Sequence, residues 1–263
     1  MESPPPTLTP ALAPAPIFDI VITLGPKDVD FLMVTIKHAI QNIIGFRNIY
    51  IITALNGAPS PQMAENIQII DENIFGFDVA EILGENTRNG WYLQQLLKLY
   101  AWKYIENLAE YYLVLDADTV FLKPTEFFLD GIPMYNVTGR QNHKPYYEHM
   151  NKLHPSLKKR NENLSGITNH MMFNRHVLTE LFEMVEKYHE NTHPFWELFL
   201  EFVEEEHVLF AGASEYEIYF NYIYFYHNTN IIIRNLNYLE INGLTNNPAI
   251  DYVSCHSYMR TEV

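Results

Sequence analysis

Cysteine is almost missing from this chain, where Cys255 stands alone. No intrachain disulfide can form, and no zinc site can be built on paired thiolates. A reducing compartment fits that composition. Basic residues are scarce too: 17 Lys and Arg face 32 Asp and Glu, for a formal net charge of −15. A protein that wraps a nucleic acid backbone wants clustered cations, so nucleic acid is not an expected partner. A nucleotide needs only a few local cations and stays open. No run approaches the roughly eighteen apolar residues of a membrane span, so none is expected. The first sixteen residues hold six prolines and no basic segment ahead of an apolar run. They read as a flexible leader, not a signal peptide. The expectation is a soluble, cytoplasmic protein. Without a secretion signal, Asn136-Val137-Thr138 and Asn163-Leu164-Ser165 read as chance matches to the glycosylation triplet.

What is present is a globular composition, 48% hydrophobic and 19% charged over 263 residues, enough for a sizeable core without staples. No internal repeat or linker divides it, so residues 17–263 read as one domain. Residues 17–24 (IFDIVITL) form an apolar, β-branched run closed by Gly25-Pro26, a buried strand. Asp28 follows as a cap for a helix reaching about Asn42. Residues 48–54 give a second strand closed by Asn56-Gly57, and residues 67–70 a short third. Strand, helix, strand at this spacing predicts a βαβ start and an α/β fold: a mixed, mostly parallel sheet flanked by helices. Residues 91–108 carry an apolar stripe at helical spacing, with Gln94 and Lys98 four apart on a neighbouring stripe. Tyr111–Leu115 (YYLVL) reads as a central strand. Residues 167–173 read as a strand, Arg175–Tyr188 and residues 194–206 as helices. Glu215–Tyr226 reads as a helix despite its aromatic content, and residues 231–256 as short strands.

The YYLVL run ends in Asp116-Ala117-Asp118. Two residues one apart on a strand share a face. The carboxyl ends of strands are where open α/β sheets bind ligands. Neighbouring carboxylates raise each other's pKa and need a counter-charge, which a hard divalent cation supplies. Such a cation can act as a Lewis acid on an anionic leaving group, with Arg88 and Lys98 as further positive charges nearby in sequence. A bare D-x-D serves equally as a turn with one capping and one solvated Asp. The apolar strand before it and TVFLKP after it favour function.

Residues 88–124 (RNGWYLQQLLKLYAWKYIENLAEYYLVLDADTVFLKP) resemble the core of GT-A glycosyltransferases, in particular a group found in bacteria and large DNA viruses. In such families an Arg, then a helix with a Lys-Leu pair, leads into a strand ending D-x-D. Arg88, Lys98-Leu99 and Asp116-Ala117-Asp118 match that order. Residues 19–28 (DIVITLGPKD) resemble the first strand, whose end, here Thr23 and Leu24, holds the nucleobase. Residues 166–175 and 213–222 resemble acceptor-side segments. The likeness covers most of residues 17–256, more loosely in the second half. It implies a GT-A domain with a nucleotide-sugar half (residues 17–124) and an acceptor half (residues 125–263). It also implies Mn²⁺ or Mg²⁺ and transfer from a nucleotide diphosphate sugar, UDP by family frequency, to a glycan or glycoprotein hydroxyl. Implied metal ligands are Asp116, Asp118 and a late His, here His256. Implied donor contacts are Thr23, Leu24, Arg88, Gln94, Lys98, Asp116 and Ala117, with Trp91 or Gln95 as further lining. An acidic residue on the acceptor side would take the hydroxyl proton in an inverting transfer. Glu215 and Glu217 are the candidates, Glu215 preferred, and His170 is a candidate acceptor contact. In a virus the setting would be the host cytoplasm.

Two rival readings fit parts of the pattern. LDADTV also matches the nucleophile motif of haloacid-dehalogenase-like phosphatases, with Asp116 attacking phosphorus. That motif usually lies on the first strand and needs a later acidic pair. Here a βαβ segment precedes it, and only the isolated Asp130 and Asp251 follow as aspartates. The other rival is a catalytically inactive GT-A module that binds glycan or nucleotide. Intact Asp116, Asp118, Lys98 and His256 argue against decay.

Overall fold

The structure is a computed structural model that describes residues 16–54, 65–139 and 142–260. The proline-rich leader through residue 15 and the Asn56-Gly57 closure lie outside the described residues.

The chain opens with a βαβ unit. β1 (Phe18–Thr23) is buried at every position. α1 (Val29–Asn42) buries Leu32, Thr35, Ile36 and Ala39, the three- and four-residue spacing of one helix face. β2 (Phe46–Thr53) returns parallel to β1, and β3 (Ile67–Asp71) adds parallel to β2. α2 (Val79–Leu83) and α3 (Asn89–Tyr104) lead to β4 (Tyr111–Leu115), parallel to β1 on its other side. Next come β5 (Thr119–Phe121), β6 (Phe128–Leu129), β7 (Ile132–Asn136) and α4 (Lys144–Leu153). β8 (His170–Asn174) runs antiparallel to β4. α5 (Arg175–Tyr188), α6 (Phe195–Glu201), α7 (Glu215–Tyr226), β9 (Ile232–Arg234), β10 (Tyr238–Glu240) and β11 (Tyr252–Ser254) complete the order.

Two features of this topology position the site. The central sheet is ordered β3-β2-β1-β4-β8. From β1 the chain goes one way to β2 and later the other way to β4. A crevice opens where such an order reverses, outside the carboxyl ends of the two strands. Val21 lies opposite Val114, so continuing that parallel register sets Thr23 level with Asp116. The second feature is a small sheet ordered β10-β11-β5, in which β11 runs antiparallel to β5 with Ser254 opposite Thr119. It carries the end of the chain back beside the D-x-D turn.

The α/β architecture is thus a mixed, mostly parallel sheet with helices, around a core cluster that joins residues from both halves of the chain. Among the described residues no helix is long and apolar enough to cross a membrane. Several local expectations need correction. Asp28 does not cap α1 with its side chain, which instead pairs with Arg260. α3 ends at Tyr104, not residue 108, because Ile105 turns extended and Asn107 adopts a φ of 62°. Residues 167–169 are not strand; Asn169 has a φ of 60°, and β8 starts at His170. Residues 194–206 divide into α6 and a separate 3-10 turn at Glu205–His207. Asn136 is buried, bonding the Tyr252 hydroxyl and the Leu236 N–H, so its triplet cannot accept a glycan in the folded chain.

Candidate active site

Lys98 sits on the buried face of α3, only 2% exposed. An ammonium at that depth needs carboxylate partners. Its Nζ donates to Asp116 Oδ1 at 2.6 Å and to Glu215 Oε1 at 2.8 Å. Burial alone would lower the Lys98 pKa, but Asp116 and then Glu215 outweigh it and hold the ammonium above its ordinary range. The Tyr216 hydroxyl donates to the same Asp116 Oδ1 at 2.7 Å. Two donors therefore converge on one oxygen of Asp116. Its Oδ2 has no hydrogen-bond partner among the described residues.

α7 brings Glu215 and Tyr216 to this point. Ser214 caps the helix by accepting from Glu217 N–H, and the Gln95 side-chain oxygen accepts the Glu215 N–H at 3.0 Å. Glu215 is buried, and burial raises its pKa against the opposing pull of Lys98. Glu217 faces elsewhere: it accepts from Ser165 and Tyr147, and its Oε2 accepts from Asn221 at 2.9 Å. That network ties the loop before β8 to α7.

Asp118 is held by different means. Its backbone oxygen accepts the Cys255 N–H at 2.9 Å, an extension of the β5–β11 pairing. That contact delivers His256, 138 residues away, whose Nδ1 lies 3.0 Å from Asp118 Oδ2. Burial alone would lower the His256 pKa; the hydrogen bond to Asp118 and the charges of Asp118 and Asp116 outweigh it, and the pKa rises. Tyr258 stacks on the His256 ring at 5.3 Å. Asp28 lies nearby, its pKa raised by burial and by Asp118 against the pull of Arg260.

The remaining sequence candidates divide. Thr23 and Leu24 are buried at the end of β1, and Thr23 Oγ1 has no hydrogen-bond partner among the described residues. The Ala117 carbonyl accepts the Thr35 hydroxyl at 2.6 Å, which fixes the D-x-D turn against α1. Arg88 precedes α3 with its guanidinium 4.4 Å from the Trp91 ring centre. Gln95, the neighbour of Gln94, accepts the Glu215 N–H. Two expectations are corrected. Lys98 does not face a ligand, because Asp116 and Glu215 enclose it. His170 is not at an acceptor surface: it is buried among Phe121, Phe127 and Tyr252, and burial, then Arg234, depresses its pKa to about 3. Tyr216 is the site residue that sequence reasoning missed; its position between two candidate Glu residues was the available signal. Two shallow clefts of about 230 and 290 Å³ lie elsewhere, lined by residues such as Asn235 and Leu244, and touch neither aspartate.

Residues 33–249 match DUF6492, a family of unknown function. The chain belongs to the DUF6492 family. The DUF6492 match takes in both aspartates, Lys98 and α7, and leaves out Thr23 and His256. No curated protein matches this sequence.

Among the described residues no three His, Cys, Asp or Glu side chains converge as a ready-made metal cage. The donor set still suits a hard or borderline cation. Asp118 and His256 offer an oxygen and a nitrogen 3.0 Å apart, and Asp116 keeps one oxygen unengaged. Magnesium sites that serve phosphates commonly use one or two carboxylates, with phosphate oxygens and water filling the remaining positions. Asp118 and His256 would supply two such protein ligands.

Proposed function

We propose that this DUF6492 chain is a metal-dependent glycosyltransferase of the GT-A type. It would move a sugar from a nucleotide diphosphate donor, UDP being the first candidate, to a hydroxyl of a glycan or glycoprotein. One observation carries the reading. The D-x-D pair stands at the switch point of the sheet, with Asp116 immobilised by Lys98 and Tyr216 and Asp118 paired to an imidazole.

Each residue then has a task. Thr23 and Leu24 border the β1 side of the crevice, where the nucleobase is expected, and Thr23 Oγ1 is a hydroxyl still without a partner. Asp118 and His256 are the groups that would hold Mn²⁺ or Mg²⁺, and the free Oδ2 of Asp116 would face the same end of the sheet. The bound cation supplies Lewis-acid stabilisation of the departing diphosphate. Lys98 and Tyr216 keep Asp116 oriented, so no reorganisation is needed when the donor arrives. Glu215 uses Oε1 to hold Lys98, which leaves Oε2 to accept the acceptor proton in an inverting transfer. Its raised pKa suits a general base.

A thermal-shift screen of nucleotide sugars with and without Mn²⁺ tests this reading, because a ligand that binds the native state raises its stability by mass action. The expected result is stabilisation by one donor that depends on Mn²⁺, followed by turnover with that donor. A complete lack of stabilisation by any nucleotide diphosphate would end the proposal.

A further inference from the structure

Arg88 stands apart from the other partly buried cations. Arg47 pairs with Asp19, Lys98 with Asp116 and Glu215, and Arg260 with Asp28. Arg160 and Arg234 donate to the carbonyls of Ser156 and Glu126. The Arg88 guanidinium donates to no acceptor among the described residues; its buried Nε lacks a partner, as those of Arg160 and Arg234 do, but each of those two groups reaches a carbonyl through another nitrogen. The sequence holds 32 acids against 17 bases, so a half-buried guanidinium with no acid beside it calls for an explanation. Burial strips water from its donors, and its planar fork matches a carboxylate or phosphate in bidentate fashion. The group is also held in place. The Trp91 ring lies beneath it at 4.4 Å, and the Arg88 N–H donates to the Asn86 side chain at 2.8 Å.

Its place in the fold points to the second substrate. Lys98 meets Asp116 just past the end of β4, and Arg88 precedes Lys98 by ten positions, roughly 15 Å along the helix axis. The Arg88 backbone is therefore roughly three helical turns from that of Lys98. Tyr146 lies in the fields of both Glu215 and Arg88, whereas Asp28, His256 and Tyr258 lie in that of Asp118. Arg88 thus shares a neighbour with Glu215 and, among these groups, none with Asp118.

We infer that Arg88, on its Trp91 shelf, binds an oxyanion carried by the acceptor, a carboxylate or phosphate on a sugar. This rests on the transferase reading and assigns Arg88 to the acceptor in place of the donor diphosphate. Tryptophan-fluorescence titrations of the full chain test it, with glucuronate, glucose 6-phosphate, glucose, and UDP plus Mn²⁺ as probes. Arg88→Gln and Arg88→Lys are compared with the wild type. At least one acidic sugar should change the fluorescence while glucose does not. Arg88→Gln should weaken acidic-sugar binding about tenfold or more, and Arg88→Lys less, since lysine keeps the charge and loses the fork. UDP with Mn²⁺ should bind all three proteins equally. Loss of UDP affinity in Arg88→Gln would assign the residue to the diphosphate and overturn the inference, as would a wild type that responds to neither acidic sugar. If acidic sugars bind through Arg88 while UDP with Mn²⁺ never binds, the oxyanion site stands and the transferase reading is what fails.

Discussion

Asp116 and Asp118 are two positions apart and are held by opposite means. Asp116 receives a buried ammonium and a buried phenol on a single oxygen. Asp118 shares its Oδ2 with a half-exposed imidazole that arrives on the last strand. The first arrangement is permanent, because removing Lys98 leaves the Asp116 and Glu215 carboxylates without their buried counter-charge. The second is exchangeable, because the hydrogen bond between a carboxylate and an imidazole can give way to a cation that both ligate. One motif thus contains an anchor and a hand.

The largest effect should come from breaking the exchangeable side. Asp118→Ala should lower metal-dependent turnover about a thousandfold while urea unfolding stays cooperative; unchanged turnover would dissolve the contrast. Lys98→Met attacks the anchor and should act on stability, costing about 3–5 kcal/mol in urea denaturation because Asp116 and Glu215 are left facing each other. A stability loss below about 1 kcal/mol would mean the anchor is no anchor. Acid separates both from the scaffold. His149 is buried on α4, and burial with Lys152 holds its pKa down to about 4 despite the Phe199 carbonyl. The unfolded chain takes up that proton near pH 6.5 and the native one only near 4. That group should therefore cost roughly 3 kcal/mol of stability as pH drops through that window. His149→Gln should remove its share of the slope in urea midpoints measured at pH 7.5 and 4.5 and leave the share of His170, which burial also holds down, to about 3. Tyr216→Phe deletes one of two donors to Asp116 and should cost about 1 kcal/mol. His256→Asn should cost less than about 1 kcal/mol yet abolish Mn²⁺ binding in the presence of UDP, read by calorimetry. A large stability loss there would make His256 structural.

The strands at the centre of the sheet were legible because apolar, β-branched and aromatic residues dominate them. β1, β2 and β4 need no tertiary knowledge to find, and Asp116 and Asp118 follow from the end of β4. His256 was reached only through family likeness, since nothing local in VSCH announces a partner so far back in the chain. Sequence preferred Glu215 to Glu217 without placing either in space. Two helical residues apart means about 200° of rotation, which sends one carboxylate to Lys98 and the other to Ser165. Gln94 and Gln95 posed the same problem; Gln95 lies three positions before Lys98, on its buried face. His170 was misplaced by following the resemblance of residues 166–175 to an acceptor-side segment, although HMMFN is apolar around it and the ring ends up in the core. α4 escaped notice because KPYYEHMNKL mixes its polar and apolar residues, and only His149, Met150 and Leu153 turn inward.

The pairing of β11 with β5 carries one more consequence. β11 is three residues long and docks on a small sheet, not on the central one. Such a strand can detach in a local opening that leaves the main core intact. Cys255 rides on it, buried, with its thiol pushed up to about 11 by burial and by Asp118. A thiol in that state is inert to alkylating reagents until the strand lifts. The lone cysteine is thus a built-in clock: its labelling rate in native buffer counts how often Asp118 loses its imidazole, and a nucleotide that grips the crevice should slow it.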